Sequence, residues 1–356
     1  MACCSDYGWR ESIVYVDLTS KVLSARSRGC QQFVHIASKS ERLHIIATNR
    51  TPTLNSSRFS GVLAPVITPF NEDLRPDYAR FLKHCQWLVS QGVSLAVFGT
   101  NSEANSLSLA EKKDLLTMLV EGGIDPALLM PGTGSCALTD AIELTAHAVN
   151  LGCGGALMLP PFYYKGVADD GLVDFFSAVI EGVDDPALRV YLYHIPPVAN
   201  VPIPHTVIKQ LAEKYPTQIA GIKDSSGDWS HTQALNELGI EDFRVFCGSE
   251  SFLLKNMQAG GAGCISATAN VNPGAIKTLY DRWRTADAEQ LQAGLNTIRG
   301  IFQSRPLIPA LKAATAIYGD DPIWFRVRPP LQPLTANQRD ELRQELAAAN
   351  FQMPDI

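Results

Sequence analysis

The sequence predicts an α/β fold, a (β/α)8 TIM barrel with a helical appendage at its C-terminal end. Three observations carry that expectation. From Ser60 onward, eight short apolar runs recur at intervals of about thirty residues, separated by stretches of helical periodicity. Parallel strands need a crossover connection, usually a helix, so this alternation suits a barrel or a doubly wound sheet. Eight units within about 220 residues favour the barrel. After Pro273 no strand-like run returns, and the chain reads as helices.

The apolar runs are Val62–Ile67, Leu95–Phe98, Leu128–Pro131, Gly155–Leu159, Val190–Tyr193, Ile219–Ile222, Arg244–Cys247 and Gly263–Ser266. The clearest crossover carries Tyr78, Phe81, Leu82, Cys85, Leu88 and Val89, an i, i+3, i+4, i+7 stripe opened by Pro76 and closed by Gly92. The C-terminal helices break at Arg305-Pro306, at Gly319 to Pro322 and at Arg328-Pro-Pro330, where proline or glycine ends a helix. The expected organisation is a barrel over 57–274 and an appendage over 275–350.

Residues 1–56 are a different material. The first 59 residues carry eight Lys/Arg against four Asp/Glu, whereas the rest carries 22 against 32. No continuous apolar core marks a secretory signal, and the acids sit poorly with a transit peptide. The stretch Arg50 to Ser57 reads as a linker. A weakly ordered extension is expected, with an early-assigned start codon or a transit peptide as alternatives.

Composition excludes several function classes. A chain of 356 residues with 46% hydrophobic residues can bury one large core. No run of eighteen apolar residues exists, so no membrane span is expected. The net charge of -6 argues against a nucleic-acid surface. Eight cysteines are scattered without a Cys-x-x-Cys pair, and several lie in apolar runs such as Val245-Phe-Cys247. They read as free thiols of a reducing compartment, and a cytoplasmic protein is expected.

In such barrels the chemistry lies at the carboxyl ends of the strands. Two runs end on capable side chains: Arg189-Val-Tyr-Leu-Tyr193 and Gly221-Ile-Lys223. Burying a lysine ammonium without a partner costs far more than burying an alkyl chain, and the neutral amine is a nucleophile that can form a Schiff base with a ketone. Tyr193 brings a phenol able to give and take a proton at the same mouth. Thr100 and Asn101, just beyond Gly99, could hold a carboxylate with hydroxyl and backbone N–H groups. Plainer readings compete: Lys223 pairs with Asp224 or Asp228, Tyr193 is a core tyrosine, and Thr100 and Asn101 only form a turn. His194 and His205 read as structural, and Lys165 as a solvated loop residue. Glu103 and Glu250 lack metal-ligand partners at useful spacing, so no metal is expected.

With these residues in view, the chain resembles the dihydrodipicolinate synthase / N-acetylneuraminate lyase family over roughly residues 58–345. The resemblance rests on Pro65-Val-Ile-Thr-Pro-Phe70, Gly99-Thr-Asn-Ser-Glu103, Tyr193-His-Ile-Pro196, Gly221-Ile-Lys-Asp-Ser-Ser-Gly227 and Ile265-Ser-Ala-Thr-Ala-Asn270, in order and at barrel spacing. It implies a class I aldolase or lyase without organic cofactor or metal. Lys223 would form the Schiff base with pyruvate or another 2-oxo acid. Tyr193 would relay the proton, Thr100 would pass it onward, and Thr100 with Asn101 would bind the carboxylate. Ile265 and Val198 would line the substrate site. The resemblance also implies a homotetramer built as a dimer of dimers, with Tyr164 reaching the neighbouring active site.

Two departures bear on the substrate. The family's glycine after the second polar residue is Ser102 here, so that loop must adopt a conformation open to serine. Where dihydrodipicolinate synthases carry an arginine that grips the second substrate's carboxylate, this chain has Val198. That change weakens aspartate semialdehyde recognition, and Asn101, Tyr163-Tyr-Lys-Gly166 and Lys223-Asp-Ser-Ser-Gly-Asp228 look closer to 4-hydroxy-2-oxoglutarate or 2-keto-3-deoxy sugar-acid aldolases. The alternatives are a condensing dihydrodipicolinate synthase, a sugar-acid dehydratase, and a non-enzymatic small-acid sensor.

Overall fold

A computed structural model describes residues 58–356, and the extension expected over residues 1–56 lies outside the described residues. Its ladder runs through β1 (Gly61–Ala64), β2 (Ser94–Leu95), β3 (Ala156–Met158), β4 (Val190–His194), β5 (Ile219–Asp224), β6 (Arg244–Cys247) and β7 (Gly263–Ile265). All neighbours are parallel, in the order β2-β1-β7-β6-β5-β4-β3. The segment 129–132 closes the ring between β2 and β3, through Met130 N–H to the Leu95 carbonyl at 2.8 Å and Leu157 N–H to that of Pro131 at 2.9 Å. The eighth strand is therefore a bridge rather than a regular element. Pro126 starts a 3-10 turn over Pro126–Leu128, which takes Leu128 out of the predicted run, and Pro131 has no N–H for the ladder. Gly132 is required beside it, because a Cβ there would lie 2.1 Å from the Phe98 carbonyl oxygen.

The crossovers are α1 (Tyr78–Ser90), α2 (Leu109–Glu121), α3 (Leu138–Asn150), α4 (Asp169–Val183), the short α5 (Pro196–Ala199), α6 (His205–Lys214), α7 (Trp229–Asn236) and α8 (Leu253–Gln258). Helix α1 starts where the sequence implies, with the Asp77 carboxylate accepting from Arg80 N–H at 3.1 Å as its cap. Its apolar stripe buries Phe81, Cys85 and Leu88, while Tyr78 stays exposed and His84 and Trp87 join the buried face. Four more helices follow: α9 (Pro273–Arg282), α10 (Ala288–Gln303), α11 (Leu307–Tyr318) and α12 (Ala336–Ala348). Helix α9 follows β7 and packs on β1, as the eighth crossover helix of a barrel must. The boundary expected at residue 274 falls inside this helix.

Period-two alternation sorts the strand residues into two layers, except at the register shift where Val190 pairs with Ile219 and Tyr191 with Gly221, so that Ala220 and Ile222 fall in opposite layers. Leu63, Ala96, Met130, Leu157, Tyr191, Tyr193, Ala220, Phe246 and Ile265 fill the barrel interior, every strand contributing. Val190, Leu192, Ile222 and Val245 face outward and pack under the helices. No helix among the described residues is long and apolar enough to cross a membrane.

Candidate active site

Tyr193 and Lys223 are register partners at the carboxyl ends of β4 and β5. Both are buried, 3% and 2% exposed. The Lys223 Nζ lies 4.1 Å from the centroid of the Tyr193 ring. Neither carboxylate that could have paired with Lys223 does so. Asp224 points to the opposite face, where it accepts from Thr232 Oγ1 at 2.6 Å and Ser226 N–H at 3.0 Å. Asp228 caps α7 by accepting from Ser230 N–H at 2.9 Å. Among the described residues Lys223 has no ion-pair partner, which leaves its amine to a ligand. An unpaired buried amine against a phenol is suited to imine chemistry.

The third component comes from the segment after β2. Thr100–Ser102 form a 3-10 turn, and the Thr100 hydroxyl is 3.2 Å from the Tyr193 hydroxyl. The first N–H groups of such a turn have no partner inside it, so those of Thr100 and Asn101 can meet an anion. Ser102 is accommodated without a left-handed backbone. Positive φ falls instead on Phe98 at 60° and Glu103 at 56°. Glu103 and Lys312 of α11 form a fully buried ion pair beneath the turn. Burial pushes the Lys312 ammonium down to about 8, and the Glu103 carboxylate opposes that fall.

The other expected site residues are placed differently. Ile265 has no exposed surface, and its side chain belongs to the interior layer around Tyr193. Val198 is 64% exposed on α5, the short helix after Tyr193. Tyr164 is 69% exposed, edge-on to Tyr163 with ring centroids 5.3 Å apart. Within the described chain neither tyrosine hydroxyl bonds to Lys223, Tyr193 or Thr100. Lys165 is less free than a solvated loop residue, because its ammonium donates to the carbonyls of Phe162 and, at 2.8 Å, Ala199.

Outward of the same strand ends lies a group that the sequence spacing did not single out. His194, Asp224 and His231 bring donor atoms within 4.8 Å of one another. The His194 and His231 rings stack at 4.4 Å with planes 15° apart. Imidazole lone pairs lie in the ring plane, so two stacked rings do not converge on one ion, and His194 Nδ1 already accepts Ile203 N–H at 3.1 Å. The group is a hydrogen-bonded and stacked support in this geometry. Contact with Asp224 holds His231 above its ordinary value, whereas burial and the neighbouring His231 charge push His194 down to about 4. Burial likewise pushes His84 to about 4.

These shifts predict acid sensitivity. A base whose folded value lies below its unfolded value of 6.5 makes the unfolded chain take up protons first, so stability is lost as pH falls from about 6.5 to 4. His84 and His194 each account for about 3 kcal/mol of that loss. His231, shifted upward, acts with the opposite sign. Urea midpoints at pH 7 and pH 4.5 should separate widely for the unmodified protein and less for His84→Phe. An equal separation in the two proteins contradicts the assignment.

Comparison with known proteins agrees with this architecture. Residues 58–349 match the Dihydrodipicolinate synthetase family. The chain belongs to that family. A DapA-like lyase of Chloroflexus aurantiacus is 34% identical over 286 residues, covering 80% of this chain and 94% of that protein. The 4-hydroxy-tetrahydrodipicolinate synthase of Methanococcoides burtonii is also 34% identical, covering 78% of this chain and 94% of its own. Among solved structures, the Escherichia coli prophage protein YagE in complex with pyruvate superposes with a TM-score of 0.76 at 27% identity, covering 83% of this chain and 100% of YagE. Family membership makes the protein an enzyme, a class I pyruvate-dependent lyase.

Proposed function

We propose that this lyase cleaves a 4-hydroxy-2-oxo acid to pyruvate and an aldehyde, with Lys223 as nucleophile and Tyr193 as proton carrier. The observation that carries the reading is the unpaired Lys223 amine against the Tyr193 ring, with the Thr100 hydroxyl 3.2 Å from the phenol. Lys223 Nζ adds to the C2 carbonyl, and loss of water leaves a protonated imine. Tyr193 takes the proton of the C4 hydroxyl as the C3–C4 bond breaks, and that electron pair passes into the imine to give an enamine. The aldehyde leaves, C3 is protonated, and hydrolysis returns pyruvate and the lysine. Thr100 passes the proton between Tyr193 and the pocket. The N–H groups of Thr100 and Asn101 hold the C1 carboxylate.

Val198 supports an aldolase over a condensing synthase. An apolar side chain stands where the synthases carry their arginine, and the nearby Lys165 ammonium is occupied by backbone carbonyls. A missing charge-assisted bond of about 1.5–3 kcal/mol weakens the grip on a second carboxylate. A tail with neutral hydroxyl groups, as in a 2-keto-3-deoxy sugar acid, fits better, and 4-hydroxy-2-oxoglutarate would need another group for its distal acid. The exposed Tyr163 and Tyr164 support a tetramer in which Tyr164 enters the neighbouring site. The deciding measurement is kcat/KM for retro-aldol cleavage of candidate 2-oxo acids against condensation of pyruvate with aspartate semialdehyde. Cleavage should exceed condensation by roughly tenfold or more, the scale of the missing bond. Condensation faster than every cleavage tested assigns the synthase reaction instead.

A further inference from the structure

We propose that Glu103 and Lys312 are positioning residues that hold the Thr100 hydroxyl at Tyr193, so that the C-terminal helices act on the chemistry through one buried ion pair. The proposal rests on the reading of Thr100 as the proton-passing partner of Tyr193. The turn carrying Thr100 closes its own hydrogen bonds, Ser102 N–H to the Gly99 carbonyl and Glu103 N–H to the Thr100 carbonyl, both at 3.1 Å, but these do not fix its place against Tyr193. It is flanked by non-glycine residues with positive φ, Phe98 at 60° and Glu103 at 56°, and such backbone persists only where its surroundings fix it.

The surroundings come from the segment 307–328. One Glu103 oxygen meets the Lys312 ammonium, and the other accepts Arg328 N–H at 2.8 Å. Lys312 also donates to the Arg326 carbonyl at 2.7 Å and lies 4.4 Å from the centroid of the Phe70 ring. The Arg328 guanidinium grips the far side of the loop, donating to the Ser106 carbonyl at 2.6 Å and the Leu74 carbonyl at 2.8 Å, and pairing with Glu111. On the barrel side, Thr68 Oγ1 donates to the Ser102 carbonyl at 2.8 Å. Glu103 bonds to neither Lys223 nor Tyr193, so any effect on the reaction must pass through the turn. A fully buried ion pair is a weak device for stability, because an apolar pair of similar volume often does as well. It does fix a direction and a distance, and here it fixes them three residues from Thr100.

A double-mutant cycle in the full chain tests this without knowledge of the aldehyde partner. The probe is pyruvate, whose methyl protons exchange with D2O through the imine and enamine, read by proton NMR at saturating pyruvate. Glu103→Gln and Lys312→Met are each combined with Thr100→Val, with melting curves and borohydride trapping as controls for folding and imine formation. Each single variant should slow exchange by about 10- to 100-fold, the cost of an ångström-scale misplacement. In the Thr100→Val background either change should slow it less than about twofold further. Multiplying effects, or single variants with unchanged exchange, overturn the proposal. So does loss of folding in both Glu103→Gln and Lys312→Met, which would make the pair structural only. If Thr100→Val alone leaves exchange unchanged, the proton-passing reading itself is wrong and the proposal goes with it. Slow Thr100→Val combined with fast Glu103→Gln removes only the positioning role.

Discussion

Lys223→Met is expected to abolish covalent capture of pyruvate and to reduce pyruvate methyl exchange by about 10⁴-fold or more, the scale seen when a covalent nucleophile is removed. Methionine matches the lysine stem in volume, and replacing an unpaired buried amine with an apolar chain is neutral or favourable for folding. The loss should therefore appear without a fall in melting temperature. The unmodified protein, incubated with pyruvate and borohydride, should gain one adduct that peptide mapping places on Lys223. Two other lysines make that assignment a real choice. Lys312 is more deeply buried, but its ammonium is engaged by Glu103 and the Arg326 carbonyl. Lys165 stands in the loop carrying Tyr163 and Tyr164, yet its donors are directed to the carbonyls of Phe162 and Ala199. Among the described residues, only Lys223 combines burial at a strand end with an unengaged amine. An adduct on either of the others, or none, removes the imine mechanism from this site.

The features legible in the sequence are those that local patterns encode. The apolar runs ending on Tyr193 and Lys223 placed both at strand ends, where the structure has them as register partners. The eighth strand was legible as an apolar run but not as a bridge, because the close approach at Gly132 and the strand pairing that Pro131 interrupts appear only when neighbours are known. Helix α9 was grouped with the appendage because no strand-like run returns after Pro273, and its packing on β1 is a tertiary contact that no local pattern encodes. The Glu103–Lys312 pair spans 209 residues, and no periodicity relates the two positions. One signal was available: Lys312 interrupts the apolar run Leu307-Ile-Pro-Ala-Leu-Lys-Ala-Ala-Thr-Ala316, and a lysine there needs a buried partner. The stack of His194 on His231 joins the end of β4 to α7, a contact set by tertiary packing.

Tyr193→Phe should lower pyruvate methyl exchange and retro-aldol turnover by about 10²–10⁴-fold, the usual range for a lost general acid–base group. Phenylalanine keeps the ring against which Lys223 Nζ packs and keeps the interior layer shared with Ile265, so the pocket retains its shape. What disappears is the hydroxyl and its 3.2 Å contact with Thr100. The strand offers an internal contrast. Tyr191, two residues earlier on the same face, has its hydroxyl at 2.7 Å from Phe59 N–H and is pushed up to about 12 by burial, which suits a structural plug. Tyr191→Phe should therefore cost stability by about 1 kcal/mol, through the lost hydrogen bond, and leave exchange within about twofold. Borohydride trapping on Tyr193→Phe should still label Lys223, though more slowly, because the phenol also serves the proton transfers of imine formation. If Tyr193→Phe exchanges pyruvate protons as fast as the unmodified protein, another group carries the proton. The Thr100 hydroxyl, adjoining the same space, is then the first to be tested in its place.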